Sequence, residues 1–178
     1  MNSRALSGLS VIATMLLATF SGICQGLEED KEQPIQIVAD KAVRDEQAGE
    51  TRYEGHVILT QGSLQIISDQ LIIYHDQQSA DVIVAIGSPA TLVQQPAPEQ
   101  SPVAAEAERI EYIRSEDLIR LLNNARVEQD GSILSGKQID YLVTERKVRA
   151  AGAADGEGES RVEVVIPPEN LRGDAQSD

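Results

Sequence analysis

From Ile35 to Ile166 the chain is a succession of short β-branched and aliphatic runs, each ended within a few residues by a turn former. The first half reads "IQIV" (35–38), "TRYE" (51–54), "VILTQ" (57–61), "LQII" (64–67), "LIIYH" (71–75), "DVIVAI" (81–86) and "ATLV" (90–93). The second half follows with "ERIEYI" (108–113), "LIRLL" (118–122), "ARVEQ" (125–129), "SIL" (132–134), "QIDYLV" (138–143), "KVRA" (147–150) and "RVEVVI" (161–166). No window sustains a helical period, so the pattern predicts an all-β chain. Gly49, Gly55, Gly62 and Gly87-Ser88-Pro89 are expected to turn it between strands.

The two faces of these strands are not equivalent to those of an ordinary half-buried sheet. "RIEY" (109–112) alternates polar and apolar residues, but "VILT", "LIIY", "VIVAI", "LIRLL" and "VEVVI" place aliphatic groups on both faces. Such strands need apolar material on each side. A sandwich with local sheet contacts satisfies that need, and so does an apolar groove that holds a ligand. Aromatic residues make up only 3% of the chain and tryptophan is absent, which removes the usual platforms for sugars. Aliphatic walls suit acyl chains: at about 0.8 kcal/mol per buried methylene, a chain of about twelve carbons gains roughly 10 kcal/mol before ordering costs.

The strands also repeat. A shift of 68 positions sets Ala39-Asp40-Lys41 on Ala107-Glu108-Arg109, Arg52 on Arg120, Gln61 on Gln129, and Gln70-Leu71 on Gln138-Ile139. We read two similar all-β units, neither able to close a core alone, separated by "QQPAPEQSP" (94–102). "GAADGEGES" (152–160) reads as a flexible hairpin loop, and the tail from Pro167 onward as disordered. The "RGD" at Arg172 to Asp174 is a chance tripeptide in that tail.

Residues 1–26 differ in kind, with Arg4 as their only charge ahead of a small-residue apolar run and a polar exit at "LEEDKEQ". They predict a secretory signal cleaved after Gly26. An uncleaved anchor over Ala5 to Ile23 is the competing reading, and Ile23 before Cys24 argues against a lipoprotein. The formal charge of −14 excludes nucleic acid as a partner, because phosphate binding needs clustered cations. His56 and His75 lack a third ligand at metal-binding spacing, and no nucleophile elbow or phosphate loop occurs. Asp69 and Asp81 are conceivable as an acid and base pair, but solvated turns explain them better. "ERKVR" (145–149) reads as a charged strand edge, with Arg146, Lys147 and Arg149 the groups available to an anionic headgroup.

"QPIQIVADKA" (33–42), "YEGHVILTQGSLQIISDQL" (53–71), "GSPATL" (87–92) and "LNNARVEQDGSILSGKQIDYLV" (122–143) together resemble the OstA-like family of periplasmic lipopolysaccharide-transport bridge proteins, over about Gln33 to Pro168. The order and spacing of these stretches carry the likeness, not any one motif. The resemblance implies an incompletely closed antiparallel β-jellyroll over 27–168, after a signal peptide (1–26) and before a disordered tail (169–178). It implies a carrier that catalyses nothing, with no cofactor and no metal, shielding lipopolysaccharide acyl chains in a hydrophobic interior. The implied partners are lipopolysaccharide, further copies joined head to tail through terminal strands, the jellyroll subunit of an inner-membrane exporter, and the N-terminal jellyroll of an outer-membrane assembly protein. Carried over residue by residue, the acyl contacts are Ile35, Ile37 and Tyr112, with Leu92 where the family has an aromatic. Arg114 stands where the family has a leucine. "GHV" (55–57) and "NNA" (123–125) stand where the family has glycine-asparagine turns, leaving Asn123 to adopt a conformation easier for glycine. "PIQIV" and "RVEVVIP" are the terminal strands expected to pair between copies.

Overall fold

The computed structural model describes residues 30, 32–76, 79–96, 99–145, 147–152 and 161–171; of residues 76 and 79–81 only the backbone is described. The segment expected to be a signal, the acid Asp81 and Arg146 therefore have no described side chain, and the RGD tripeptide lies beyond the described residues. The rest is one antiparallel sheet of ten strands: β1 (Gln36–Val38), β2 (Lys41–Asp45), β3 (Glu50–Gln61), β4 (Leu64–Asp76), β5 (Ser79–Gln94), β6 (Val103–Ile113), β7 (Leu118–Gln129), β8 (Ser132–Leu142), β9 (Lys147–Ala151) and β10 (Glu163–Val165). Strands β3 to β8 pair in chain order, so each hairpin sits beside the next. No helix among the described residues is long and apolar enough to cross a membrane.

Six of these strands are twice as long as the sequence runs suggest. Gly55 and Asn123 do not turn the chain; they sit inside β3 and β7, where Gly55-His56 and Asn123-Asn124 all take positive φ, between 45° and 78°. The register slips there, between Glu54 and Val57 and between Leu122 and Ala125. It slips at the same level in the other strands, at Ile67/Gln70 of β4, Ile86/Ala90 of β5 and Glu106/Arg109 of β6. Gly87-Ser88-Pro89 belongs to this row too, with a cis bond before the proline. Gly49 and Gly62 do turn the chain between strands, whereas Gly55, Gly87 and Asn123 mark bulges, which bend strands without ending them.

A row of bulges crossing a sheet makes a spine about which the sheet folds. Val127 and Ile119 lie eight residues apart on β7, about 27 Å if the strand were straight, yet both line one cavity. The segments on either side of the spine must therefore face each other as two arms. The upper arm holds 57–61, 64–67, 90–94, 103–106, 125–129 and 132–136; the lower arm holds 50–54, 70–76, 79–86, 109–113, 118–122 and 138–142. This is an open jellyroll with two similar halves. The 68-residue repeat is real in space: Glu50–Gln61 and Leu118–Gln129 begin and end 68 residues apart, and their bulges correspond.

Both edges are split at the spine. β1 pairs with the upper part of β3 and β2 with its lower part, while β10 and β9 do the same along β8. β9 and β10 run in one direction along β8; residues 153–160, most of the stretch expected to be a hairpin loop, lie outside the described residues. At the first edge the corner between β1 and β2 is tied to the spine. Asp40 N–H donates to the Gly55 carbonyl at 3.0 Å, and the His56 ring donates through Nδ1 to Asp40 Oδ2 at 2.8 Å. That hydrogen bond, with the charge of the same carboxylate, raises the imidazole above its ordinary pKa. Glycine suits position 55 because its φ is +78°, and a Cβ there would also strike the Asp40 carboxylate. Beyond β10 the tail does not lose structure at Pro167: Pro168–Leu171 form a 3-10 turn, and Asn170 Nδ2 donates to the Asp130 carbonyl at 2.7 Å.

The aliphatic residues on both faces have two separate destinations. Inside lies one cluster that includes Leu59, Ile66, Leu71, Ile83, Ile110, Leu121 and Ile139, each fully buried and each worth about 1.5–3 kcal/mol of burial. Outside, the register sets Arg52, Ile72, Val84, Glu111, Arg120 and Asp140 in one row across the lower arm. Val84 is only 1% exposed there although it does not belong to the inner cluster. The stems of neighbouring arginines cover apolar surface while their heads pair with acids. Arg120 grips Asp140 with Nε to Oδ1 at 2.9 Å and a terminal nitrogen to Oδ2 at 3.2 Å.

Partial burial works to raise the Asp140 carboxyl, but hydrogen bonds from Arg120 and Gln138 outweigh it and hold the group below its ordinary 3.8. A carboxyl depressed on folding stabilises the fold above its unfolded pKa, and that contribution disappears as pH falls through the lower folded value. Asp140→Asn is therefore expected to cost about 1 kcal/mol at neutral pH, the partly exposed pair being screened by solvent. Thermal melts should show a Tm lower by about 2–4 °C at pH 7, and a difference that closes below pH about 4.

Candidate functional site

The inward faces of the arms carry apolar rows that run without a break from edge to edge. On the upper arm the register links Ile37, Leu59, Ile66, Leu92, Ala105, Val127, Leu134 and Val164, one residue from each successive strand. On the lower arm it links Ala42, Tyr53, Leu71, Ala85, Ile110, Leu121, Ile139 and Ala150. Eight strands at about 4.8 Å spacing make each row about 34 Å long. The two rows face each other across the space between the arms. They form a groove that crosses the strands and is not sealed at either end by a further strand among the described residues.

Side-chain size decides where this groove is filled. Toward the first edge the inner cluster is built from large side chains, Leu59, Leu64, Ile66, Leu71 and Ile73. Toward the last edge the cluster relies on Ala105, Ala107, Ala125 and the flanking Ala150, and a cavity of about 290 Å³ opens. Its walls are Leu92, Val103, Ala105 and Val127 from the upper arm and Ile119, Leu121, Ile139, Tyr141 and Val148 from the lower. At about 30 Å³ for each water-sized group it has room for roughly ten, the size of one acyl chain. Such a space can take hydrocarbon by contact alone. Among the described residues no three His, Cys, Asp or Glu side chains gather as metal ligands. His75 Nε2 meets Thr51 Oγ1 at 2.9 Å, and Asp69 is exposed at the spine.

The four residues singled out from the sequence are strung along this groove. Ile37 and Leu92 lie on the same upper row, Ile37 half-buried at the first edge and Leu92 only 3% exposed on the cavity wall. Ile35, just before β1, is half-buried against the inner cluster. Tyr112, 6% exposed, stands nearer the rim of the lower arm between Ile83 and Ile119, where a narrow space of about 20 Å³ separates it from Leu64. Arg114 follows β6 in a 3-10 turn and does not line the cavity. The sequence reading missed Leu121, Ile139, Tyr141 and Val148, which form most of the lower wall. The 68-residue repeat held a signal for two of them, since it pairs Leu121 with Tyr53 and Ile139 with Leu71 on the same lower row.

Known proteins share both the sequence and this architecture. Residues 36–147 match the family model described as LptA/(LptD N-terminal domain) LPS transport protein. The lipopolysaccharide export system protein LptH of Pseudomonas aeruginosa is 31% identical over 170 residues, covering 93% of this chain and 97% of that protein. The lipopolysaccharide export system protein LptA of Escherichia coli K12 is 32% identical over 164 residues, covering 91% of this chain and 85% of its own length. The crystal structure of Pseudomonas aeruginosa LptH, described as the LptA-homologous periplasmic component of the lipopolysaccharide transport device, superposes with a TM-score of 0.73 at 31% identity, over 79% of this chain and 99% of that one. The open sheet architecture is thus shared with a solved relative, the sequence aligns with others over nearly its whole length, and the chain belongs to the LptA/LptD N-terminal domain family of lipopolysaccharide transport proteins.

Proposed function

We propose that this protein is a periplasmic carrier that holds the acyl chains of lipopolysaccharide between its two arms and passes them along the groove, with the sugars outside. The observation that carries this reading is the unbroken apolar row from Ile37 to Val164, whose last member is 56% exposed. Exposed aliphatic side chains at the end of an otherwise buried row are costly in an isolated molecule and useful where a second row continues it. Val38, Val43, Val148, Val164 and Val165 are exposed on the short edge strands. Their unpaired backbone groups can template further strands. Copies then join head to tail, β10 of one against β1 of the next. The same edges dock the jellyroll subunit of an inner-membrane exporter and the N-terminal jellyroll of an outer-membrane assembly protein. The carrier forms and breaks no covalent bond, and residues 1–26 direct export and are removed.

Mass spectrometry of lipid that copurifies with the protein from its native envelope tests the cargo. The expected result is lipid bearing several acyl chains, in amounts near one per protein. A purified protein with no bound acyl lipid, which also fails to take up added lipopolysaccharide, would refute it.

A further inference from the structure

The rims of the groove differ chemically. On the lower arm the inward row nearest the rim runs Thr51, Ile73, Ile83, Tyr112, Ile119 and Tyr141. The corresponding row on the upper arm places a glutamine on every second strand: Gln61 on β3, Gln94 on β5 and Gln129 on β7, about 9.5 Å apart. Gln61 is committed, its Nε2 donating to the Gln33 carbonyl at 3.1 Å. The other two line the 290 Å³ cavity. Each makes only one long contact among the described residues, Gln94 to Asp30 Oδ2 and Gln129 to the Ser101 carbonyl, both at 3.5 Å. Gln94 is nevertheless 8% exposed. An amide with one long contact keeps donor and acceptor capacity that it can offer to whatever occupies the cavity.

We propose that Gln94, assisted by Gln129, reads an oxygen carried by the acyl chain near its head, a hydroxyl or an ester carbonyl, and so favours oxygenated chains over plain hydrocarbon. This rests on the reading of the groove as an acyl-chain site. A primary amide suits that position because it can both donate and accept, matching a hydroxyl or a carbonyl in one rotamer or the other. Its neutrality matters as much. A lysine or arginine there would hold an anionic headgroup and stop it moving on, whereas a further acid in a chain of formal charge −14 would repel it. With amides on the upper rim and mostly apolar side chains on the lower, the lipid enters in one orientation, its oxygenated side toward β5 and β7.

The test uses two probes, myristic acid and 3-hydroxymyristic acid, each displacing a fluorescent polyene fatty acid from the full-length mature protein. Their carboxylates are identical, so the ratio of affinities isolates the hydroxyl. The unaltered protein is expected to prefer the hydroxylated probe about five-fold, the size of one net hydrogen bond. Gln94→Leu should remove that preference by weakening only the hydroxylated probe. Equal affinities in the unaltered protein, or a loss in Gln94→Leu that falls on both probes alike, would overturn the assignment while leaving the acyl-chain site standing. Failure of both acids to displace the fluorescent probe would overturn both readings. Because the first comparison needs no variant, a Gln94→Leu protein that does not fold leaves the proposal open to refutation.

Discussion

Replacing Ile37 with aspartate is expected to reduce acyl-chain affinity at least ten-fold while the protein keeps its fold. Ile37 is the first member of the upper row and only half-buried, so the monomer can turn a carboxylate there toward water. A bound chain passing over β1 would instead press its methylenes against that charge, and desolvating it costs several kcal/mol, more than the factor of ten requires. Leu92 offers no such separation of effects. It is buried on the cavity wall, and truncation to alanine alone would cost about 2–5 kcal/mol of stability. The check is displacement of a fluorescent fatty acid alongside circular dichroism melts. Unchanged lipid affinity in a folded Ile37→Asp protein would remove β1 from the lipid path.

The second large effect is expected at the other edge. Val164→Asp should raise the dissociation constant for self-association at least a hundred-fold, leaving a monomer whose Tm is nearly unaltered. Val164 closes the upper row on β10, pairs with Leu134 and is mostly exposed in the single chain, where a charge is readily hydrated. Once a second copy extends the row, the same carboxylate would be buried against aliphatic side chains without a partner, a penalty of about 3 kcal/mol or more. Light scattering across a concentration series separates the outcomes. Oligomers of Val164→Asp that persist at the concentrations where the unaltered protein forms them would move the contact away from β10.

Much of this architecture is legible along the chain because strand signals are local. β-branched runs and the near absence of helical periodicity suffice for an all-β fold, and the alignment of Gln61 with Gln129 marks two units that recur in space with the same offset. What local signals cannot separate is a turn from a bulge. Gly55 and Asn123 take the positive φ expected of turn residues, but whether the chain then reverses or continues depends on the neighbouring strand. Here β4 and β8 continue past the break, so β3 and β7 continue too.

The candidate site divides in the same way. Ile35, Ile37, Leu92 and Tyr112 could be named by alignment to a family pattern, and the aliphatic composition already pointed to acyl chains. The neighbours Leu71 and Ile72 in "LIIY" could not be assigned to their faces beforehand. Leu71 packs inside and Ile72 lies outside beneath the arginine and acid row, and the bulge at Ile67/Gln70 resets which parity points inward. The lower wall of the cavity escaped for a related reason, since Leu121 and Ile139 meet Leu92 only after the sheet has folded about its spine.

The amino-acid order by itself determined the strands, the repeat and the hydrocarbon character of the interior, because each is carried by residue identities and their spacing along the chain. The tertiary structure alone decided that the strands bend in a common row, that their inner faces align into edge-to-edge rows, and that a cavity walled by Leu92, Ala105, Leu121 and Ile139 is left between the arms. Those outcomes depend on pairing between strands and on the volume left when two arms close on each other, and neither quantity exists in a linear chain.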